Sequence, residues 1–316
     1  MSVAFLFSPQ GSQAIGMGRE LAETSPAARA VFDEADAILG WSVSETCWEG
    51  PADRLADTRQ TQPCLLTASV AGLHALEDRS DATPSVVAGH SVGEYAALVA
   101  AGVLDFAAAL RLVSRRAQLM AGADAEGGMA AVIGLERGDV ERVVETVGRP
   151  TELVVANDNA PGQVVISGRR DSLAVAEEAM RVAGARRVIP LPVSGAFHSP
   201  LMASVAEELA EAFEAESWSD ARVPVVSNVT AEALTDADRL RALLAEQVRS
   251  PVEWVRSVER MVGDGVDTML ELGSGATLVG MVKRIAPEVT AVAVTDRAGL
   301  DAAATLLRRP SEATVS

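Results

Sequence analysis

Short apolar runs bounded by turn residues alternate with stretches in which apolar positions recur every three or four residues, and the two periods together outline the chain. Residues 3–7 (Val-Ala-Phe-Leu-Phe) and 85–88 (Ser-Val-Val-Ala) are the continuous runs that parallel strands show when helices cover both faces. Helical spacing occupies about 26–39, 61–78, 91–101 and 105–122, so the opening third is α/β. From 129 the elements shorten to strand 129–135, helix 138–147, strand 152–157, strand 162–167, helix 171–183 and strand 186–191. Pro161-Gly162 supplies the turn between the two middle strands. This β-α-β-β-α-β order is the ferredoxin-like arrangement and predicts a small subdomain, 126–194, inserted into a body formed by 1–125 and 195–316. The α/β texture resumes with helix 200–214, strand 223–226, helices near 237–247 and 251–263, strand 267–271 and a helix from about 276. Beyond about 308 the tail is polar and is expected to fray.

Composition narrows the classes. A 316-residue chain that is 48% apolar and 22% charged can bury a large core. No apolar stretch reaches the ~18 residues of a membrane span. Val3–Phe7 is short, has no basic residue before it and fits a strand better than a signal peptide, so a soluble, cytoplasmic protein is expected, without a membrane partner. Forty-four acidic against 27 basic residues give a net charge of −17, which disfavours nucleic acid as a partner. Cys47 and Cys64 lack metal-ligand spacing and are expected as buried small side chains, with no metal site and no disulfide framework.

One segment carries chemistry on its own terms. Gly89-His90-Ser91-Val92-Gly93 is a G-x-S-x-G motif that follows an apolar run and opens a helical one, the setting of a nucleophile elbow. A bare motif of this kind also fits a loop serine in a tight turn. If Ser91 is a nucleophile, it needs a base within hydrogen-bond reach. The chain offers three histidines. His74 lies within a helical pattern, and His90 adjoins the serine and supports the site, which leaves His198, in the loop Gly195-Ala196-Phe197-His198-Ser199-Pro200, as the base. Asp105, Asp124, Asp139, Asp158 and Asp171 fall between serine and histidine, but none is in an obvious position to complete a triad, and a dyad oriented by a neutral carbonyl stays open.

Five motifs in order, Gln10-Gly11-Ser12-Gln13, Gln60-Thr61-Gln62-Pro63, Gly89-His90-Ser91-Val92-Gly93-Glu94-Tyr95, Pro161-Gly162-Gln163-Val164-Val165-Ile166 and Gly195-Ala196-Phe197-His198-Ser199, resemble the malonyl-CoA:acyl carrier protein transacylase family. That family includes the acyltransferase domains of polyketide synthases. The resemblance implies a Ser91–His198 dyad in a cleft between an α/β-hydrolase-like body and the ferredoxin-like insert. It further implies an oxyanion hole from the backbone N–H groups of Gln10 and Val92. Gln247 matches a glutamine whose side-chain carbonyl orients the histidine, and Arg116 an arginine that pairs with the free carboxylate of the acyl unit. Gln62 and Asn159 are implied to line the pocket, and Phe197, after Ala196, fits the pattern of malonyl-selective members. Ser8-Pro9 stands where the family has Pro-Gly, so the loop carrying Gln10 is expected to be reshaped.

Chemistry bears on Arg116 separately. Malonyl differs from acetyl by one carboxylate, which a guanidinium can hold with two parallel charge-assisted bonds. Beside Arg115 and without the resemblance, it reads as a surface helix residue; the resemblance reverses that reading. The expected reaction is ping-pong transfer of malonyl from malonyl-CoA to the phosphopantetheine thiol of an acyl carrier protein, with no bound cofactor. The alternatives are a free-standing polyketide-pathway acyltransferase for another extender unit, an editing acyl hydrolase, and a non-catalytic carrier-protein scaffold. Arg169, Arg170, Arg181, Arg186 and Arg187 are either a docking face for an acidic carrier or a solvated surface paired with Asp171, Glu177 and Glu178.

Overall fold

The computed structural model describes residues 2–123, 126–147, 151–193 and 195–308. Among them lie ten strands: β1 (Val3–Phe7), β2 (Val86–Gly89), β3 (Gly127–Ile133), β4 (Leu153–Ala160), β5 (Gln163–Arg169), β6 (Arg187–Pro190), β7 (Val225–Val226), β8 (Ala233–Leu234), β9 (Thr268–Leu272) and β10 (Thr290–Val294). One sheet has the order β10-β9-β1-β2-β7-β8 and is parallel except at β8, which runs antiparallel to β7. The other has the order β4-β5-β3-β6 and is antiparallel throughout. Its two central strands are the first and third in sequence, as a βαββαβ unit requires. The fold is thus an α/β-hydrolase-like parallel-sheet core with a ferredoxin-like small sheet.

The sequence explains the layering. β1 is buried at all five positions. Val3, Phe5 and Phe7 enter one core cluster while Ala4 and Leu6 enter the cluster on the opposite face. A central strand covered on both sides must be apolar at every position, not at alternate ones. The helix Thr58–Glu77 packs between the helices Pro26–Leu39 and Phe106–Gly122 and is buried on nearly all sides. Its buried hydroxyls return to the backbone, as when Thr67 Oγ1 donates to the Pro63 carbonyl at 2.8 Å. Each aliphatic side chain so buried contributes about 1.5–3 kcal/mol.

Several elements differ from the sequence expectation. The helices Arg19–Thr24, Val43–Trp48 and Ala52–Ala56 were not anticipated, because five or six residues are too few to display a period. β8, β10 and the closing helix Arg297–Leu307 were also missed. The helix expected from 91 begins at Gly93, and the one expected from 200 opens as a 3-10 turn, Pro200–Met202, before Ala203–Phe213. The helix expected from 251 begins at Trp254. Val252 is drawn instead against β4, its N–H donating to the Ala156 carbonyl at 2.8 Å and its carbonyl accepting from Asp158 N–H at 3.0 Å. This bridge ties the small sheet to the body. Asp124 and the tail beyond 308 lie outside the described residues. Among the described residues no helix is long and apolar enough to cross a membrane. Cys47 and Cys64 are buried free thiols.

Candidate active site

Because β1, β2, β7 and β9 run parallel, the loops that leave their C-terminal ends gather on one edge of the sheet. Ser91 sits there, in the three-residue turn between β2 and the helix Gly93–Ala100, with φ +53°. The turn is too tight for side chains at its flanks. A Cβ on Gly89 would lie 2.0 Å from the Gly93 carbonyl carbon, and one on Gly93 would lie 2.1 Å from the Phe7 carbonyl oxygen. The glycines of the motif are therefore required by close backbone approach.

His198, also left-handed at φ +57°, meets Ser91 from the segment after the small sheet. Its backbone N–H donates to the Val248 carbonyl at 2.8 Å, and its Nδ1–H donates to the Gln247 main-chain carbonyl at 2.8 Å. A carbonyl can only accept, so the proton is on Nδ1 and Nε2 is free to accept from Ser91 Oγ, 2.8 Å away. Burial first, and the nearby charge of Arg116 second, pull the imidazole pKa down to about 3. It is therefore neutral at physiological pH. No aspartate takes part among the described residues. Asp105 caps the helix Phe106–Gly122, while Asp139, Asp158 and Asp171 face Arg142, Arg137 and Arg169.

Gln247 does contact the histidine, but through its backbone and not through its side-chain carbonyl as expected. Its side chain has other partners: Oε1 accepts from Arg116 Nη2 at 3.1 Å, and Nε2 donates to the Ser91 carbonyl at 2.9 Å and to Glu94 Oε2 at 2.7 Å. Arg116 is only 1% exposed. Its Nη1 donates to Gln62 Oε1 at 2.7 Å and its Nη2 to Ser91 Oγ at 3.1 Å, while Nε has no partner among the described residues. Burial lowers its pKa from the usual guanidinium value, and the Tyr95 ring lies 5.8 Å from its Cζ. Arg115 is the surface residue of the pair and bridges to Glu208 at 2.7 Å.

A cavity of about 210 Å³ opens beside Ser91 and His198, lined by Gln10, His90, Asn159 and Phe197 together with Met120, Met129, Val165 and Leu191. Four of the expected site residues thus face the cavity with the serine and histidine. Gln62, Arg116, Val92 and Gln247 stand behind its wall; Gln62 is therefore not the lining residue expected, because its amide is held by Arg116 and by Gln10 Oε1 at 3.3 Å. His90 Nε2–H donates to Asn159 Oδ1 at 2.8 Å, joining the turn to β4. Burial lowers the His90 pKa to about 4. The Ser8-Pro9 loop is anchored by Ser8 Oγ on Glu271 Oε1 at 3.1 Å and by Ser12 Oγ on the Pro9 carbonyl at 2.7 Å. Gln10 still reaches the cavity. Two roomier clefts, about 410 Å³ beside Arg222 and about 440 Å³ beside Pro251, hold no serine–histidine pair.

Beneath Ser91 lie two residues that the sequence reading gave no role. Asn228 Oδ1 accepts from Ser91 N–H at 2.7 Å and its Nδ2 donates to the Gly89 carbonyl at 2.6 Å. Glu94 accepts from Gln247 and from the Asn228 N–H, and burial raises its pKa to about 7. The available signal was a polar residue two positions past a strand parallel to β2. On the outer surface, Arg169 pairs with Glu126 and Asp171, and Arg181 with Glu177 and Glu178, as the solvated-surface alternative has it. Arg186 and Arg187 are exposed and form no ion pair among the described residues.

Comparison with known proteins is consistent along the whole length. The family model of the acyl transferase domain matches residues 4–304. A malonyl CoA-acyl carrier protein transacylase of Bacillus subtilis (strain 168) is 43% identical over 313 residues, 98% of each chain. An acyl-carrier-protein S-malonyltransferase of Burkholderia pseudomallei 1710b superposes with a TM-score of 0.94 at 39% identity, covering 96% of this chain and 100% of that one. A solved complex of a type II PKS acyl-carrier protein with its malonyl-transacylase superposes with a TM-score of 0.93 at 39% identity, covering 97% and 100%. Matched from residue 4 to residue 304, the chain belongs to the acyl transferase domain family.

Proposed function

We propose that the protein transfers a malonyl group from malonyl-CoA to the phosphopantetheine thiol of an acyl carrier protein, with Ser91 as the nucleophile and His198 as its base. The observation that carries this reading is a single oxygen. Ser91 Oγ lies 2.8 Å from an unprotonated imidazole nitrogen and 3.1 Å from a buried guanidinium that has no carboxylate in contact among the described residues. The first contact suits proton removal and the second suits an acyl group that brings a carboxylate. An editor of uncharged acyl chains would have no use for that cation.

In this mechanism Ser91 Oγ attacks the thioester carbonyl while its proton passes to His198 Nε2. The imidazolium that forms is held by the Gln247 carbonyl at Nδ1. The carbon–sulfur bond breaks, and the coenzyme A sulfur leaves with the proton from Nε2. The carrier thiol then gives its proton to Nε2 and attacks the ester carbonyl; the bond to Ser91 Oγ breaks, Oγ takes the proton back from Nε2, and the malonyl group leaves on the carrier sulfur. Through the tetrahedral stages the oxyanion would be met by the backbone N–H groups of Gln10 and Val92, neither of which has a partner among the described residues, and by the N-terminal end of the helix Gly93–Ala100. Arg116 Nη2 would exchange Ser91 Oγ for the malonyl carboxylate, with Gln62 and Gln247 keeping the guanidinium in place. We assign residues 126–194 to a flap over this site and 1–125 with 195–316 to the body.

Intact-mass measurement after brief incubation with malonyl-, methylmalonyl- and acetyl-CoA tests the reading. The wild type should gain the malonyl mass in preference to the others, and Ser91→Ala should gain none. A malonyl adduct that persists in Ser91→Ala would overturn the assignment.

A further inference from the structure

We propose that Asn228 is a positioning residue that holds Ser91 in its reactive backbone conformation. The inference rests on Ser91 being the nucleophile and extends that reading to what keeps it in place. At φ +53° a serine is in a region that residues with a Cβ rarely occupy, so its surroundings must hold it there. Being outside the strand ladder, it also needs partners for its own N–H and carbonyl. The carbonyl has two, Gln247 Nε2 at 2.9 Å and Glu94 N–H at 3.1 Å. The N–H has one, Asn228 Oδ1.

Asn228 is built for that task. β7 pairs with β2 as far as Ala88, and Asn228 follows two residues past the end of β7. Its side chain continues the pairing where the backbone can no longer do so, with one planar amide spanning the turn from the Gly89 carbonyl to the Ser91 N–H. The partners fix which end is oxygen, since an N–H only donates and a carbonyl only accepts. The residue is fully buried. It is itself held at both ends, its N–H donating to Glu94 Oε2 at 3.3 Å and its carbonyl accepting from Glu253 N–H at 2.8 Å. Without the clamp Ser91 relaxes toward negative φ and carries Oγ away from His198 Nε2. A misplacement of about 1 Å is enough to slow a reaction about 100-fold.

The test uses Asn228→Ala and Asn228→Asp, with rates normalised to the folded fraction measured by circular dichroism. Single-turnover acylation by malonyl-CoA and by acetyl-CoA, and labelling of Ser91 by a fluorophosphonate, should all fall about 100-fold in Asn228→Ala with the malonyl-to-acetyl ratio unchanged. The aspartate variant supplies the second readout. A protonated carboxyl offers one acceptor and one donor, as the amide does, so Asn228→Asp should acylate well near about pH 5. It should lose activity as it ionises, because a carboxylate would then face the Gly89 carbonyl with no proton to donate. Wild type should lack that loss. Folded Asn228→Ala acylating within about threefold of wild type, or an Asn228→Asp pH profile parallel to wild type, overturns the proposal. Acylation that survives Ser91→Ala would instead defeat the nucleophile reading beneath it.

Discussion

The two sheets treat polar groups in opposite ways. Around the ferredoxin-like sheet the core cluster is apolar, with Val132, Val140, Leu153, Ile166, Met180 and Val188 among its members, and the outward ion pairs are exposed, such as Arg142 with Asp139 and Arg181 with Glu177. Such pairs are worth about 0–1 kcal/mol each. Its buried polar residues are Asn157, Asp158 and Asn159 on β4, the strand bridged to the body, and Ser167 on β5. The body has apolar clusters too, but it also buries a polar network. Gln62, Glu94, Arg116, Gln247 and Asn228 are all 0–1% exposed and hydrogen-bonded through one another around Ser91. A buried polar network is stabilising only when its members find partners. Among the described residues Arg116 Nε has none. In the proposed function the body carries reactivity and acyl choice, and the small sheet covers the site and meets the carrier.

The sharpest way to break that division is Arg116→Ala. Removing one side of a desolvated charge pair costs about 2–5 kcal/mol. The ratio of kcat/KM for malonyl-CoA over acetyl-CoA should therefore fall by roughly 30-fold or more, with acetyl transfer spared. Equal losses for both substrates would make Arg116 structural. A smaller effect is expected across the seam. Asn159→Ala leaves the buried His90 Nε2–H without its partner, a loss of about 1–3 kcal/mol in one of the contacts that join the two parts. kcat/KM should drop about tenfold for malonyl-CoA and acetyl-CoA alike, with their ratio kept. A change in that ratio would show that the small sheet shares in acyl choice. The smallest effect belongs to the outer surface. Arg186→Glu with Arg187→Glu should weaken transfer to the acidic carrier a few-fold, more at low salt, and leave acylation by malonyl-CoA unchanged. Loss in both half-reactions would point to damage to the fold.

What the sequence disclosed follows the same boundary. The insert was legible because its elements are short, regularly spaced and separated by turn residues; the β3-to-β6 strands fall within a few residues of expectation. Ser91 was legible because its turn demands glycines on both sides. Arg116 could have been placed inside from spacing alone, since Ala109, Leu112, Val113, Ala117 and Met120 put its position on the buried face of the helix Phe106–Gly122. Gln247 was found only by resemblance, and its contact with His198 was misjudged because a backbone carbonyl leaves no trace in residue type. Asn228 was missed for a related reason. Its role depends on β7 lying beside β2, a pairing between residues more than 130 positions apart that no local pattern reports.

The size of the cavity beside Ser91 sets a limit of another kind. About 210 Å³ admits on the order of seven water molecules, and its walls are largely thioether, aliphatic and phenyl groups that give water few partners. In the proposed mechanism an ester on Ser91 has to outlast the departure of one thiol and the arrival of the next, with water as the competing acceptor all the while. The residues that shape the space for the acyl group therefore also set the lifetime of the ester. Carving away Phe197 or Met129 to admit a bulkier unit would let solvent in with it, and broader acceptance would be accompanied by faster leakage of free acid.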